Sequence, residues 1–151
     1  RMRLLACAAA LALAGCVHVD IKDDRVEAAS ASIDCSVAPS GAGTVQAAPV
    51  ASHAITDIPG KTLTSVLLTV TPGNRSNAHM HAGVLYGYVI EGAVCSQITG
   101  DAALKPYRAG ESFFEPAGSQ HLAFTNPTGR TAKILVTQVA DAGATLTVPV
   151  R

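Results

Sequence analysis

Two histidines stand one residue apart in the stretch "NAHMHAGVLY", Asn77 to Tyr86. Residues at spacing two in an extended strand share a face, so His79 and His81 would present both imidazoles on the same side, a spacing that suits a metal ion. Such a pair alone is more often a surface or hydrogen-bonded pair than a ligand set, so further ligands have to come from elsewhere in the chain. The nearest supply is "GESFFEPAGSQHLAFTN", Gly110 to Asn126, which holds His121. Glu115, immediately ahead of Pro116, reads as a turn or strand-end carboxylate. Gln120 has the opposite parity to His121 and is expected to face solvent. His53 stands alone, outside either stretch, as a hydrogen-bonded surface residue would, and His18 lies in a polar segment near the N-terminus.

These residues have to be positioned by the elements around them. From about Pro49 the chain becomes a series of short β-branched runs cut by Gly and Pro. "TLTSVLLTVTPG" (Thr62–Gly73) alternates one set of side chains against another, and "VLYGYVIEG", "AVCSQITG", "ESFFEPAG", "HLAFTNPTG" and "TAKILVTQVA" follow. Runs this short and regular, with no helical period of useful length, predict an all-β antiparallel barrel or sandwich. With 151 residues, 48% of them hydrophobic, the chain has enough apolar material for one domain with its own core. The formal net charge is zero and no Lys/Arg cluster is present, so no nucleic acid is expected as a partner.

The N-terminal residues read as a targeting signal. Arg1 and Arg3 precede the apolar run Leu4–Gly15, which is shorter than the roughly 20 residues that cross a bilayer. The run ends in "LAGC", Leu13–Cys16, which resembles a bacterial lipoprotein signal with Cys16 as the lipidated residue. Val17, with no Asp there, is similar to lipoproteins sorted to the outer membrane. The expected organisation is a signal peptide at residues 1–15, a flexible linker at 16–48 and a β-barrel domain at 49–151. The resemblance places the protein on the periplasmic side of the outer membrane, with the membrane a partner through the lipid anchor. Cys35 and Cys95 would then be the remaining thiols in an oxidising compartment, and the sequence leaves open a bridge between them or a buried Cys95 beside a free Cys35.

Taken together, the two histidine stretches resemble the motifs of the cupin superfamily. Gly73, His79, His81 and Gly92 meet G-x5-H-x-H-x(3,4)-E-x6-G, and Gly110, Pro116, Gly118 and His121 meet G-x5-P-x-G-x2-H-x3-N. The runs "HMHAGVLYGYVIEG" and "AGESFFEPAGSQH" are most similar to small single-domain bacterial cupins, some of them quercetin-dioxygenase-like. The resemblance implies a single cupin-type antiparallel β-barrel, the double-stranded β-helix or jelly roll, with a divalent ion held by His79, His81 and His121. The acid of the first motif falls at Leu85, which shares the histidines' parity and is expected to form a dry wall of the pocket. An inward Glu115 in its place is the sharper alternative to the strand-end reading. Asn126 falls one residue late, which calls for a bulge or a different turn.

Three imidazoles with open positions suit Fe(II), placed first by the resemblance, and also Zn, Ni, Mn, Cu or Co. Without a protein carboxylate the ion's charge would favour a small anionic chelating organic molecule as ligand. Two function classes follow: a metal-dependent dioxygenase or isomerase, or a lipoprotein that binds a metal or small ligand without turnover. The resemblance further implies a homodimer paired through edge strands.

Overall fold

The computed structural model describes residues 32–36 and 41–150. The signal, the lipidation site Cys16, Val17 and His18 lie outside the described residues. Within them the chain forms ten strands and no helix. They are Val45–Ala54 (β1), Lys61–Val70 (β2), His79–His81 (β3), Val84–Glu91 (β4), Ala93–Ile98 (β5), Lys105–Arg108 (β6), Ser112–Glu115 (β7), Gln120–Thr125 (β8), Ala132–Asp141 (β9) and Thr147–Pro149 (β10). All pairings are antiparallel. One sheet runs β1-β2-β9-β4-β7 and the other β10-β3-β8-β5-β6, the two-sheet jelly-roll barrel that the runs of short strands predict.

The period-two pattern decides which side chains face inward. In β9, Ala132, Ile134, Val136, Gln138 and Ala140 are buried and the intervening residues are less so. In β4, Leu85, Gly87 and Val89 are buried, whereas Tyr86, Tyr88 and Ile90 are exposed. The core gathers Val70, Leu85, Val89, Val94, Phe113, Phe124, Ala132, Ile134 and Val136. Gly87 lies opposite Phe113 in the β4–β7 ladder, and a Cβ there would stand 2.3 Å from the Phe113 ring. The missing side chain lets the ring lie flat across the strand.

Two features of the first sheet differ from expectation. Strand structure begins at Val45, ahead of the expected boundary at Pro49, and Pro49 sits inside β1 beside a register shift. A proline is tolerated there because β1 is an edge strand with no ladder partner on its outer side. Cys35 and Cys95 form a disulfide across a separation of 60 residues, with Cys95 wholly buried in β5.

Candidate metal centre

Strand β3 consists of His79, Met80 and His81 alone, held between β8 and β10. Its ladder sets His79 opposite His121 and His81 opposite Thr147. The pair therefore meets the third histidine across one strand spacing, and both face the same interior. Ring centroids are 4.8 Å apart for His79 and His81, 4.9 Å for His79 and His121, and 6.0 Å for His81 and His121. One nitrogen of each ring lies within 4.8 Å of the others. After His81 the chain turns at Ala82–Gly83 and passes into the opposite sheet. Gly83 has φ +81°, and a Cβ on it would sit 2.0 Å from the Val139 carbonyl oxygen, so glycine is required where the histidine strand gives way to β4.

Each ring is oriented through one nitrogen. His79 Nδ1 lies 2.8 Å from the Asn77 carbonyl, and His81 Nδ1 lies 3.3 Å from the carbonyl of Leu146 and 3.3 Å from Thr147 Oγ1. A carbonyl only accepts, so both Nδ1 atoms carry the proton and both Nε2 atoms keep their lone pairs. The Leu146 carbonyl also accepts from Gln138 Nε2 at 3.3 Å, which fixes the loop carrying it. His121 is held the other way round, with Nε2 2.9 Å from Ser96 Oγ in buried surroundings. Burial pushes His81 down to about 4, helped by the neighbouring His79 and opposed by the Leu146 hydrogen bond. Burial pushes His121 down to about 3, with His79 and His81 adding to it. Both rings are neutral at pH 7, the form that binds metal.

Glu115 is not the strand-end carboxylate that its place before Pro116 predicts. It is 2% exposed and pairs with Leu85 in the β4–β7 ladder, inside the barrel. Its Oε1 is 3.2 Å from His121 Nδ1 and its Oε2 is 3.8 Å from His81 Nε2. Neither oxygen, nor His121 Nδ1, has a hydrogen-bond partner. Burial raises its carboxyl to about 7. Because the rings are held neutral, these approaches are not ion pairs; they set the carboxyl oxygens beside two of the three imidazoles. A carboxylate therefore stands inside the barrel next to the histidines, while Leu85, its ladder partner, is 3% exposed and part of the hydrophobic core. Orphaned buried donors converging in this way fit a divalent cation, for which His79, His81 and His121 are the nitrogen ligands.

The remaining residues fall elsewhere. His53 is exposed on β1, the edge strand of the sheet that does not contain β3, and Gln120 is partly buried beside Met80. Asn126 is wholly buried but structural: its Nδ2 donates to the carbonyls of Val70 at 2.9 Å and Arg130 at 2.8 Å, and its Oδ1 accepts from Thr128. Its one-residue displacement has a counterpart in the β5–β8 ladder, where Gln97 pairs with Ala123 but Ile98 with His121, leaving Leu122 as the extra residue. Ser96 and Gln138 were not singled out by sequence spacing, and the inward Glu115 stood only as the alternative to a strand-end carboxylate. Period-two parity from Phe113 is the one signal that could have placed Glu115 inside.

Residues 66–138 match the family model described as Cupin domain. Among solved structures, the chain is similar to a Cupin 2 conserved barrel domain protein from Salinispora arenicola, with 23% identity, TM-score 0.50 and coverage of 65% of this chain and 76% of that one. It is similar to the DMSP lyase DddQ from Ruegeria pomeroyi, with 20% identity, TM-score 0.52 and coverage of 58% and 42%. Against a point mutant of Bacillus subtilis oxalate decarboxylase OxdC the values are 23%, 0.53, and 74% and 29%. The chain thus spans less than half the length of those two enzymes. No curated protein matches it. With its two antiparallel sheets, its inward histidines and the domain matched over residues 66–138, the chain has the fold of an all-β cupin barrel.

Proposed function

We propose that the protein is an envelope-anchored metalloprotein that holds one divalent ion on His79, His81 and His121 and binds a small anionic chelating organic molecule on it. The observation that carries this reading is the grouping of three imidazoles whose nitrogens lie within 4.8 Å of one another, with the buried Glu115 beside two of them and its oxygens and His121 Nδ1 unpartnered. Fe(II) is the favoured ion, with Zn, Ni, Mn and Cu as alternatives. A bound divalent ion would supply Lewis acidity and a template that orients substrate.

The chain's own residues do the rest. The Asn77 and Leu146 carbonyls and Ser96 fix the rings, and Leu85 keeps the barrel side dry. Three neutral imidazoles leave the ion's charge uncompensated, and one ionised carboxylate still leaves the assembly positive, so an anion is preferred over a neutral ligand. Two of the enzymes that share the fold are named for a lyase reaction and for oxalate, a small chelating anion. Oxygenase-type turnover is the enzymatic form of this reading.

Cys16 supplies the lipid anchor and a homodimer the quaternary state. The test is metal analysis of protein purified from its own envelope fraction, followed by oxygen uptake of the Fe(II)-loaded protein with flavonols, diketones, catechols and thiols. Stoichiometric metal, lost in His81→Ala, and uptake with an anionic chelator are expected. A metal-free protein that takes up no divalent ion on reconstitution would overturn the metal reading. Metal and ligand binding without oxygen uptake would leave a binder in place of an oxygenase.

A further inference from the structure

We propose that Glu115 is a direct protein ligand of the divalent ion, supplied from β7 across the ladder from Leu85, so that the site is three histidines and one carboxylate. The proposal rests on the metal reading above. It starts from the register: Leu85 in β4 and Glu115 in β7 are paired residues on the inner face of the same sheet. Paired residues project side by side, with Cβ atoms about 5 Å apart, so a carboxylate moved from one to the other still reaches the same interior volume. The exchange is also chemically reciprocal, since the strand that lacks an acid carries a leucine and the adjacent strand carries the acid.

Distances agree with a shared ion. Donor atoms about 2.0–2.2 Å from one cation stand roughly 3 to 3.5 Å from each other. Oε1 is 3.2 Å from His121 Nδ1, and Oε2 is 3.8 Å from His81 Nε2. A direct hydrogen bond between carboxylate and ring would be the alternative use of this proximity, yet both oxygens and His121 Nδ1 lack hydrogen-bond geometry to any partner. No Lys or Arg forms an ion pair with this side chain among the described residues, and a buried carboxylate without a cation or hydrogen bonds is strongly disfavoured. The opposite face of His121 is already used, since Ser96 holds Nε2. An ion bound by Nδ1 and by Glu115 would satisfy the orphaned atoms of these two residues at once.

The experiment measures divalent-metal affinity, by competition with a chromophoric chelator, and the visible absorption of the Co(II)-substituted protein. It compares wild type, His81→Ala, Glu115→Gln and the exchange variant Leu85→Glu/Glu115→Leu. Glu115→Gln keeps the side-chain shape, and thermal melting of its metal-free form checks the fold. The expected results are loss of binding in His81→Ala, a fall of about 100-fold or more in Glu115→Gln with a changed Co(II) spectrum, and recovery of at least tenfold of that loss in the exchange variant. Wild-type affinity and an unchanged Co(II) spectrum in Glu115→Gln, with His81→Ala metal-free, would overturn the role of Glu115 while leaving the three-histidine site standing. A fall in affinity with an unchanged Co(II) spectrum and no recovery on exchange would make Glu115 a positioning residue and would also overturn the proposal. A wild type that binds no ion would overturn both readings.

Discussion

The metal-free protein is expected to lose stability on mild acidification, by an amount that three buried groups determine. His81 and His121 have ordinary values of 6.5 and are held by burial at about 4 and about 3, whereas burial lifts Glu115 from 4.5 to about 7. At pH 5.5 the unfolded chain carries a proton on each of these two histidines and none on the carboxyl. The folded barrel carries neither imidazole proton and keeps the carboxyl proton. Unfolding therefore takes up close to one net proton, and stability falls with decreasing pH by about 1.2 kcal/mol per unit between pH 6 and 5. The signs are opposed: the depressed histidines favour the fold at high pH, and the raised carboxyl favours it at low pH. Replacing Glu115 by Gln removes the opposing member, so the slope should double to about 2.4 kcal/mol per unit. Glu91 and Asp101 are held low by hydrogen bonds from Lys133 and Lys105 and act only below this window. Urea denaturation of chelator-treated protein at pH 5.0, 5.5 and 6.0 measures both slopes. A wild-type protein as stable at pH 5 as at pH 6, or a Glu115→Gln slope no steeper than wild type, would refute the reasoning.

Three further outcomes are expected. Cys35→Ser removes a cross-link closing a 60-residue separation, which by loop entropy contributes up to about 4 kcal/mol, and its denaturation midpoint should match that of reduced wild type. Ser96→Ala releases His121 Nε2 and should weaken metal binding about 10- to 100-fold by chelator competition, with the metal-free melting temperature little changed. Gly87→Ala drives a methyl into the Phe113 ring, and the overpacking should cost about 1–3 kcal/mol in chemical denaturation while leaving the histidine cluster on the other sheet able to bind metal.

Much of the barrel is legible because its signals are local. The alternation in "TAKILVTQVA" fixes which residues of β9 face the core, and spacing two fixes His79 and His81 on one face. His121 could be paired with them because the motif resemblance supplies a long-range relation that spacing lacks. Glu115 shows the limit: its pairing with Leu85 depends on the ladder between β4 and β7, and nothing near Pro116 reveals that register. The start of β1 at Val45 was hidden for a related reason, since residues 45–48 are mostly small or polar and are held in a strand by the ladder with β2, which is a property of the assembled sheet. The Cys35–Cys95 bridge, left open by the sequence, was likewise a question of proximity in space.

The shortness of β3 has a bearing on how an ion enters and leaves. Two of the three imidazoles ride on a three-residue strand, one side of which is covered only by Thr147, Val148 and Pro149, a short exposed strand at the edge of the sheet. A strand so placed belongs to the part of a fold that opens at small free-energy cost, ahead of the long β2–β9–β4 ladders. Peeling of β10 would free His81 from the Leu146 carbonyl and Thr147 without disturbing the apolar core. The ion would then act as a rivet between β3 and β8, slowing amide hydrogen exchange at Met80 and Val148 far more than in the middle of β9. In such a barrel the rate of metal release would follow the opening of this short edge strand, with Thr147–Pro149 as a kinetic gate for the site.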